Sequence, residues 1–356
     1  MAEARPLRTV VVGAPEVGAA GTMALLDVLS SVGRSWEVLH GRPPQPPVFA
    51  PRLLTLDGQA LTLRNGLALT PHGRLDGTPA PDLVIVPELL VSPLAPLPAH
   101  YAPVADWLRG AHASGALVTS VCSGVLLLAE AGLLDGEEAT SHWAFCDVIA
   151  RRFPKVRLRK ERILVPTGPG HRIVTAGGAS SWYDLLLYLI ARFAGSDRAR
   201  QAAKVFLIEA HAEGQLPFAG LTARRQHEDR LVAEAQLWLA DGYVTANPVR
   251  EMVARSGLTE RGFHARFKRA TGLAPMDYVQ VLRIEEAKHL LETTDLPVDE
   301  VAEAVGYQEP ASFRRLFRRA VGVTASAYRR RNLLPAVVSA EPAADLEAKS
   351  RAPRTR

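Results

Sequence analysis

The apolar positions of this chain follow two regimes. From Arg8 to Gly195, short unbroken apolar runs alternate with stretches where apolar residues recur every three or four positions. RTVVVG (Arg8–Gly13), LVIV (Leu83–Val86) and Ala116–Val121 are runs of the kind that form central strands, covered on both faces of a parallel sheet. Helical spacing over Thr22–Val32, Tyr101–Ser114, Ser123–Ala131 and WYDLLLYLIARFAG (Trp182–Gly195) supplies the covering layers, with Ser180 or Ser181 as cap of the last. Further strands are expected at Trp36–Leu39, Val48–Leu56, Leu67–Leu69, Ile163–Val165 and Arg172–Thr175, and GRPPQPP reads as a surface loop. Strands alternating with helices predict an α/β domain whose largely parallel sheet is flanked by helices.

An amphipathic helix is expected over Asp197–Ala212, after which Gly, Pro and mixed charge break the periodicity across Glu213–Glu228. The domain boundary belongs there, between 212 and 226. Beyond it lies an opening helix, His227–Asp241, and then a pattern that occurs twice. VREMVARSGLTERGFHARFKRATGLAPMDY is followed by VDEVAEAVGYQEPASFRRLFRRAVGVTASAY. Val249 matches Val298, Met252 matches Val301 and Gly257 matches Gly306. After one extra residue in the second turn, Phe263 matches Phe313, Phe267 matches Phe317, Gly272 matches Gly322 and Tyr278 matches Tyr328. Each copy is a short helix, a Gly turn and a second helix rich in Arg and Lys, the layout of a helix-turn-helix. Asn247 before Pro248, and Thr259, are the expected N-caps. The second helices span Thr259–Ala270 and Glu309–Ala320, and the helix Pro275–Leu291 joins the two copies. Its Glu285–Glu286 pair is expected on a solvated face or against a neighbouring Arg. The outward face of the first basic helix carries Arg261, His264, Lys268 and Arg269, and that of the second Arg314, Arg315, Arg318 and Arg319.

The expected layout is therefore an α/β domain over 8–195, a helix and linker over 196–226, an all-α tandem helix-turn-helix domain over 227–331, and a disordered tail over 332–356.

Composition narrows this picture only slightly. A chain of 356 residues with 47% hydrophobic and 22% charged positions suffices for two cores. The net charge of +5 and sequence pI of about 9.4 suit a nucleic-acid partner without establishing one. Two cysteines, Cys122 and Cys146, exclude a disulfide framework and fit a reducing cytosol. MAEARPLRTV lacks the apolar core of a signal peptide, and no apolar run approaches the roughly 20 residues of a membrane span. A cytoplasmic protein, away from membranes and without a cofactor, is expected.

Candidate chemistry concentrates at VTSVCSGVLLLAEAGLLDG. A buried strand ends at Val121, Cys122 stands at the corner and a helix begins at once. A nucleophile at such a turn is held in strained geometry beside free backbone N–H groups, and the helix start would lower the thiol pKa. His142 in ATSHW is the possible base. His142 and Cys146 are four apart, a weak metal pair lacking a third ligand, and His171 in GPGHR reads as a solvated loop residue.

This arrangement resembles the PfpI-like branch of the class I glutamine amidotransferase-like superfamily over residues 8–195. Cys122 and His142 fall on that family's reactive pair. The resemblance implies a pocket formed by Cys122, Ser123, Gly124 and His142, with Glu16 as a third, acidic member and Glu88 as its rival. It also implies that the domain binds a small-molecule effector and mediates a homodimer. Cys-dependent amidase- or peptidase-like turnover, or thiol redox sensing, is the alternative, and turnover is not expected.

The tandem repeat resembles the DNA-binding domain of the AraC/XylS family over nearly all of 228–331, on LRIEEAKHLLETTDLPVDEVAEAVGY and FRRLFRRAVGVTASAYRR. The resemblance implies a transcription regulator that binds double-stranded promoter DNA and works with RNA polymerase. Each basic helix would enter one of two successive major grooves. The matching base-reading positions are Arg261, His264 and Ala265, then Pro310, Ala311 and Arg315 with Arg314 close by. Lys268, Arg318 and Arg319 would meet phosphates.

Overall fold

The continuous apolar runs become the middle of a seven-stranded sheet. A computed structural model describes residues 5–220 and 229–332, and the chain divides into two units, Met1–Ala219 and Gly220–Arg356. In the first, β1 (Leu7–Val12), β2 (Phe49–Thr55), β3 (Gly73–Arg74), β4 (Leu83–Val86), β5 (Leu117–Val121), β6 (Leu164–Thr167) and β7 (Ile173–Ala176) take the spatial order β6-β7-β5-β4-β1-β2-β3. Every neighbouring pair is parallel except β6 with β7.

Because successive side chains point to opposite faces, the central strands feed two cores. Val10, Val12, Val84 and Val86 pack with α3 (Ala102–Ala113), α4 (Val125–Glu130) and α5 (Cys146–Arg152). Val11, Leu83 and Ile85 pack with α1 (Ala19–Ser31), α6 (Trp182–Ala194) and α7 (Ser196–Phe206). All these strand residues are buried, as the absence of polar alternation requires.

The structure corrects several local expectations. Trp36–Leu39 is not a strand but part of a short helix, α2 (Ser35–Leu39). The Trp36 and His40 rings lie 4.1 Å apart, His40 Nδ1 meets the Trp36 carbonyl at 2.8 Å, and Val38 and Leu39 stay exposed with no strand beside them. The Leu67–Leu69 strand is reduced to Ala68–Leu69, which pairs with Leu61–Thr62 in a separate ribbon outside the main sheet. Helix α7 ends at Phe206 rather than Ala212, because Leu207 turns left-handed (φ +53). Ser181 precedes α6, yet its hydroxyl makes no capping bond.

The second unit is helical: α8 (Arg230–Gly242), α9 (Pro248–Ser256), α10 (Glu260–Thr271), α11 (Pro275–Thr293), α12 (Val298–Ala304), α13 (Pro310–Val321) and α14 (Ala325–Asn332). The repeated residues form equivalent cores. Met252, Phe263, Phe267 and Tyr278 close the first, and Val301, Phe313, Phe317 and Tyr328 the second. Gly257 and Gly306, and likewise Gly272 and Gly322, all adopt positive φ, which glycine takes without the Cβ penalty. Thr259 caps α10 by accepting from the Gly262 N–H at 3.2 Å, whereas the Asn247 side chain makes no capping bond before α9. Glu285 pairs with Lys288 at 2.9 Å, so the acid lies against a Lys of its own helix. Buried Arg283 donates to the carbonyls of Tyr243 and Thr245, both at 2.9 Å, and binds the end of α8 to α11. Among the described residues no helix is long and apolar enough to cross a membrane. The expected tail from 333 onward and residues 221–228 of the expected linker lie outside the described residues.

Candidate functional site

Cys122 follows β5 with φ +54, a left-handed conformation that costs a non-glycine residue about 1–3 kcal/mol. A 3-10 turn over Cys122–Gly124 then leads into α4. The neighbours hold the turn in place. Ser123 Oγ accepts from the Leu89 N–H at 3.0 Å and donates to the Leu89 carbonyl, while Ser141 Oγ donates to the Cys122 carbonyl at 2.9 Å. Gly124 sits so close to the end of β4 that an added Cβ would lie 2.5 Å from the Pro87 carbonyl oxygen.

The thiol does not behave as the helix start alone suggests. Burial pushes the Cys122 thiol up, and the charge of Glu88 adds to the shift. Hydrogen bonds from Ser123 and from the His142 backbone N–H oppose it without reversing it. The expected lowered pKa is thus corrected: α4 is short, and desolvation outweighs its dipole.

His142 reaches this turn through its main chain. Its ring Nδ1 accepts from the Ala144 N–H at 3.2 Å, and its other edge faces Gly178, where an added Cβ would lie 3.1 Å from Cδ2. Burial lowers the His142 pKa. Cys146 Sγ donates to the carbonyls of Ser141 and His142 at 3.7 and 3.5 Å. His171, at φ +51, is exposed.

The acidic member is where the two candidates part. Glu16 is occupied elsewhere: it accepts from Tyr101 OH at 2.8 Å and lies 3.3 Å from His100 Nε2. Glu88 is the acid whose charge acts on Cys122. It is buried, its Oε2 has no hydrogen-bond partner among the described residues, and burial pushes its carboxyl up to about 7. It occupies space that only glycines leave open, since a Cβ at Gly18 would lie 2.0 Å from Glu88 Oε1 and one at Gly21 2.6 Å from Oε2.

Sequence reasoning missed Gln215, which lies in the stretch read as linker. The side chain is 2% exposed. Its Nε2 lies within bonding distance of Thr140 Oγ1 (3.1 Å) and the carbonyls of Ser141 (2.9 Å), Arg162 (2.9 Å) and Lys160 (3.4 Å). Its Oε1 accepts from the Gly178 N–H at 2.9 Å and the Trp143 N–H at 3.2 Å. A Cβ on Gly177 would collide with this amide at 2.4 Å. The one sequence signal was Gly177–Gly178, a pair that permits close approach.

On the repeat, Arg261, Ala265 and Lys268 are exposed on α10, and Ala311, Arg314, Arg315 and Arg318 on α13. His264 departs from the expected outward position: it is half-buried, and its Nε2 is covered and without a partner among the described residues. Pro310 is half-buried at the first turn of α13. Arg314 donates to Asp299 of α12 at 2.5 Å, and Arg315 to Ser312 Oγ at 3.2 Å.

An α/β unit with a cysteine elbow, followed by a doubled helix-turn-helix with basic second helices, defines the class: a two-part DNA-binding regulator. Comparisons with known proteins match a family to each part. The DJ-1/PfpI family matches residues 94–191, and a helix-turn-helix domain family matches 252–331. The chain is 30% identical over 278 residues to the HTH-type transcriptional regulator CdhR of Pseudomonas aeruginosa, covering 75% of this chain and 77% of that protein. It is 30% identical over 226 residues to the HTH-type transcriptional regulator GlxA of Rhizobium meliloti, covering 63% and 68%. Over 143 residues it is 34% identical to the isonitrile hydratase of Pseudomonas putida, covering 39% of this chain and 58% of that enzyme. The chain belongs to the family of HTH-type transcriptional regulators that join a DJ-1/PfpI domain to an AraC-type reader.

Proposed function

We propose that this regulator is a cytoplasmic homodimer that binds promoter DNA through α10 and α13 and acts with RNA polymerase. The α/β unit senses a small-molecule effector at the Cys122 turn. The reading of the DNA unit rests on one observation: two helices with equivalent aromatic cores each turn a basic face outward. Arg261 and Ala265, then Ala311 and Arg315, are the side chains offered to base edges, with Pro310 setting the start of α13 and Arg314 held toward Asp299. Lys268 and Arg318 meet phosphates, supplying affinity that falls with salt and carries no sequence choice. Genome-wide mapping of bound fragments tests this. Enrichment of discrete promoter fragments, lost when Arg261 and Arg315 are both replaced by Ala, is the supporting result. Uniform recovery of bulk DNA would refute it.

Sensing is preferred to turnover at Cys122. The likeness to a hydratase over 143 residues favours a catalytic reading. Against it, the thiol is raised by burial, and the His142 ring accepts from a backbone N–H of its own turn. A raised thiol also disfavours oxidation, which follows thiolate character. Regulation that persists in Cys122→Ser with an effector present separates sensing from thiol chemistry.

A further inference from the structure

We propose that Gln215 couples the Cys122 turn to the chain that leaves the α/β unit. This rests on the sensing role given to that turn and adds how its state is passed on. Among the described residues after α7, 207–220, the one regular element is a 3-10 turn, Leu216–Phe218, and the segment leads on to the DNA-binding unit. The Gln215 N–H donates to the Glu161 carbonyl at 3.3 Å, and Gly214 and Pro217 are buried. Two side-chain attachments add to this. His211 is fixed to α6 through Asp184, and Gln215 enters a slot between the Thr140–Trp143 turn, the carbonyls of Lys160 and Arg162, and Gly178.

The slot is built for an amide. A primary amide is donor at one end and acceptor at the other. The slot presents oxygen acceptors to Nε2 and two backbone N–H donors to Oε1. Glutamate would set a carboxylate against carbonyl oxygens, and an apolar side chain would leave buried polar groups unpaired. Gly177 and Gly178 leave the space that the amide fills.

The slot meets the cysteine turn through Ser141. Ser141, whose carbonyl takes the Gln215 amide, donates its hydroxyl to the Cys122 carbonyl at 2.9 Å. His142 lies in the chain between Ser141 and Trp143, both of which bind Gln215, and its ring faces Gly178. A ligand that displaces His142 or Ser141 must therefore break or strain the amide's bonds. Conversely, removal of the amide takes a support from the Ser141 backbone and so loosens the Cys122 turn that Ser141 holds.

The test needs neither the effector nor the operator. In the full-length protein, the alkylation rate of Cys122 by iodoacetamide is read by peptide mapping, which separates it from Cys146. Hydrogen exchange of the 208–219 amides is read in parallel. Gln215→Met keeps the volume of the side chain and removes its hydrogen bonds, and Gln215→Ala is the companion variant. Coupling predicts alkylation of Cys122 about fivefold or more faster in Gln215→Met, the low end of typical coupling between sites. It also predicts faster exchange over 208–219 in wild-type protein once Cys122 is alkylated. A folded Gln215→Met with unchanged Cys122 alkylation overturns the proposal. So does alkylation that leaves 208–219 exchange unaltered, and so does loss of fold in both variants, which would make Gln215 a core support only. If both effects occur while no metabolite alters operator binding, sensing fails and the coupling stands.

Discussion

Asp184 accepts two hydrogen bonds from one residue, His211: from its backbone N–H at 2.8 Å and from its ring Nδ1 at 2.6 Å. Asp184 is buried in the first turn of α6, and His211 lies beyond the end of α7. The pair holds the outgoing segment to the sheet-covering layer. Asp184→Ala leaves a half-buried N–H without its acceptor, and it should destabilise the α/β unit by about 1–3 kcal/mol. Calorimetry on the full-length chain should show the transition of this unit moving down while that of the helical unit stays in place.

Glu88 should give the α/β unit a pH dependence of definite sign. Its carboxyl titrates near 7 in the folded protein, against 4.5 for the unperturbed group, so the folded state holds the proton more tightly. The contribution to stability is full below about 4.5 and is lost as pH rises through 7, amounting to on the order of 3 kcal/mol. Glu88→Gln keeps the shape and should flatten this slope, so that the variant gains on wild type between pH 5 and 8. A parallel pair of stability curves over that range would show that the burial of Glu88 is not felt.

Thr259 tests the local rules of the DNA-binding unit. Its hydroxyl accepts from the Gly262 N–H at the start of α10, and Thr259→Ala should cost about 1 kcal/mol in the stability of the helical unit. Asn247→Ala should cost much less, because that side chain makes no cap bond. Denaturant midpoints of the two variants, read on the helical transition, decide the order.

The two basic helices should separate base readers from phosphate binders. Arg315→Ala should weaken a preferred fragment by about 1–3 kcal/mol and relax sequence choice at one position. Lys268→Ala should weaken all sequences alike and reduce the slope of log affinity against log salt by about 1. Competition binding at several salt concentrations gives both quantities.

These residues also show what was legible beforehand. The doubled pattern of Met252 with Val301 and Phe263 with Phe313 fixed both helical cores, because a helix buries one side at a set spacing. The runs at Val10–Val12 and Leu83–Val86 marked the sheet centre, because strands covered on both faces tolerate no polar alternation. Trp36–Leu39 misled, since four residues are too few for periodicity to separate a strand from a helical turn. The Cys122 turn was visible as a strand followed at once by a helix. Its thiol shift was not, because desolvation depends on neighbours far away in sequence. Gln215 was invisible for the same reason: its six contacts come from residues 37 to 75 positions away.

Footprinting on a bound genomic fragment most directly tests whether this chain reads DNA with both helices. Two protected major-groove patches on one face of the duplex, about one helical turn apart for each reader, are the predicted result. Replacing Arg261 should weaken protection within one patch and replacing Arg315 within the other. Protection of a single groove, unaltered by either substitution, would contradict the account.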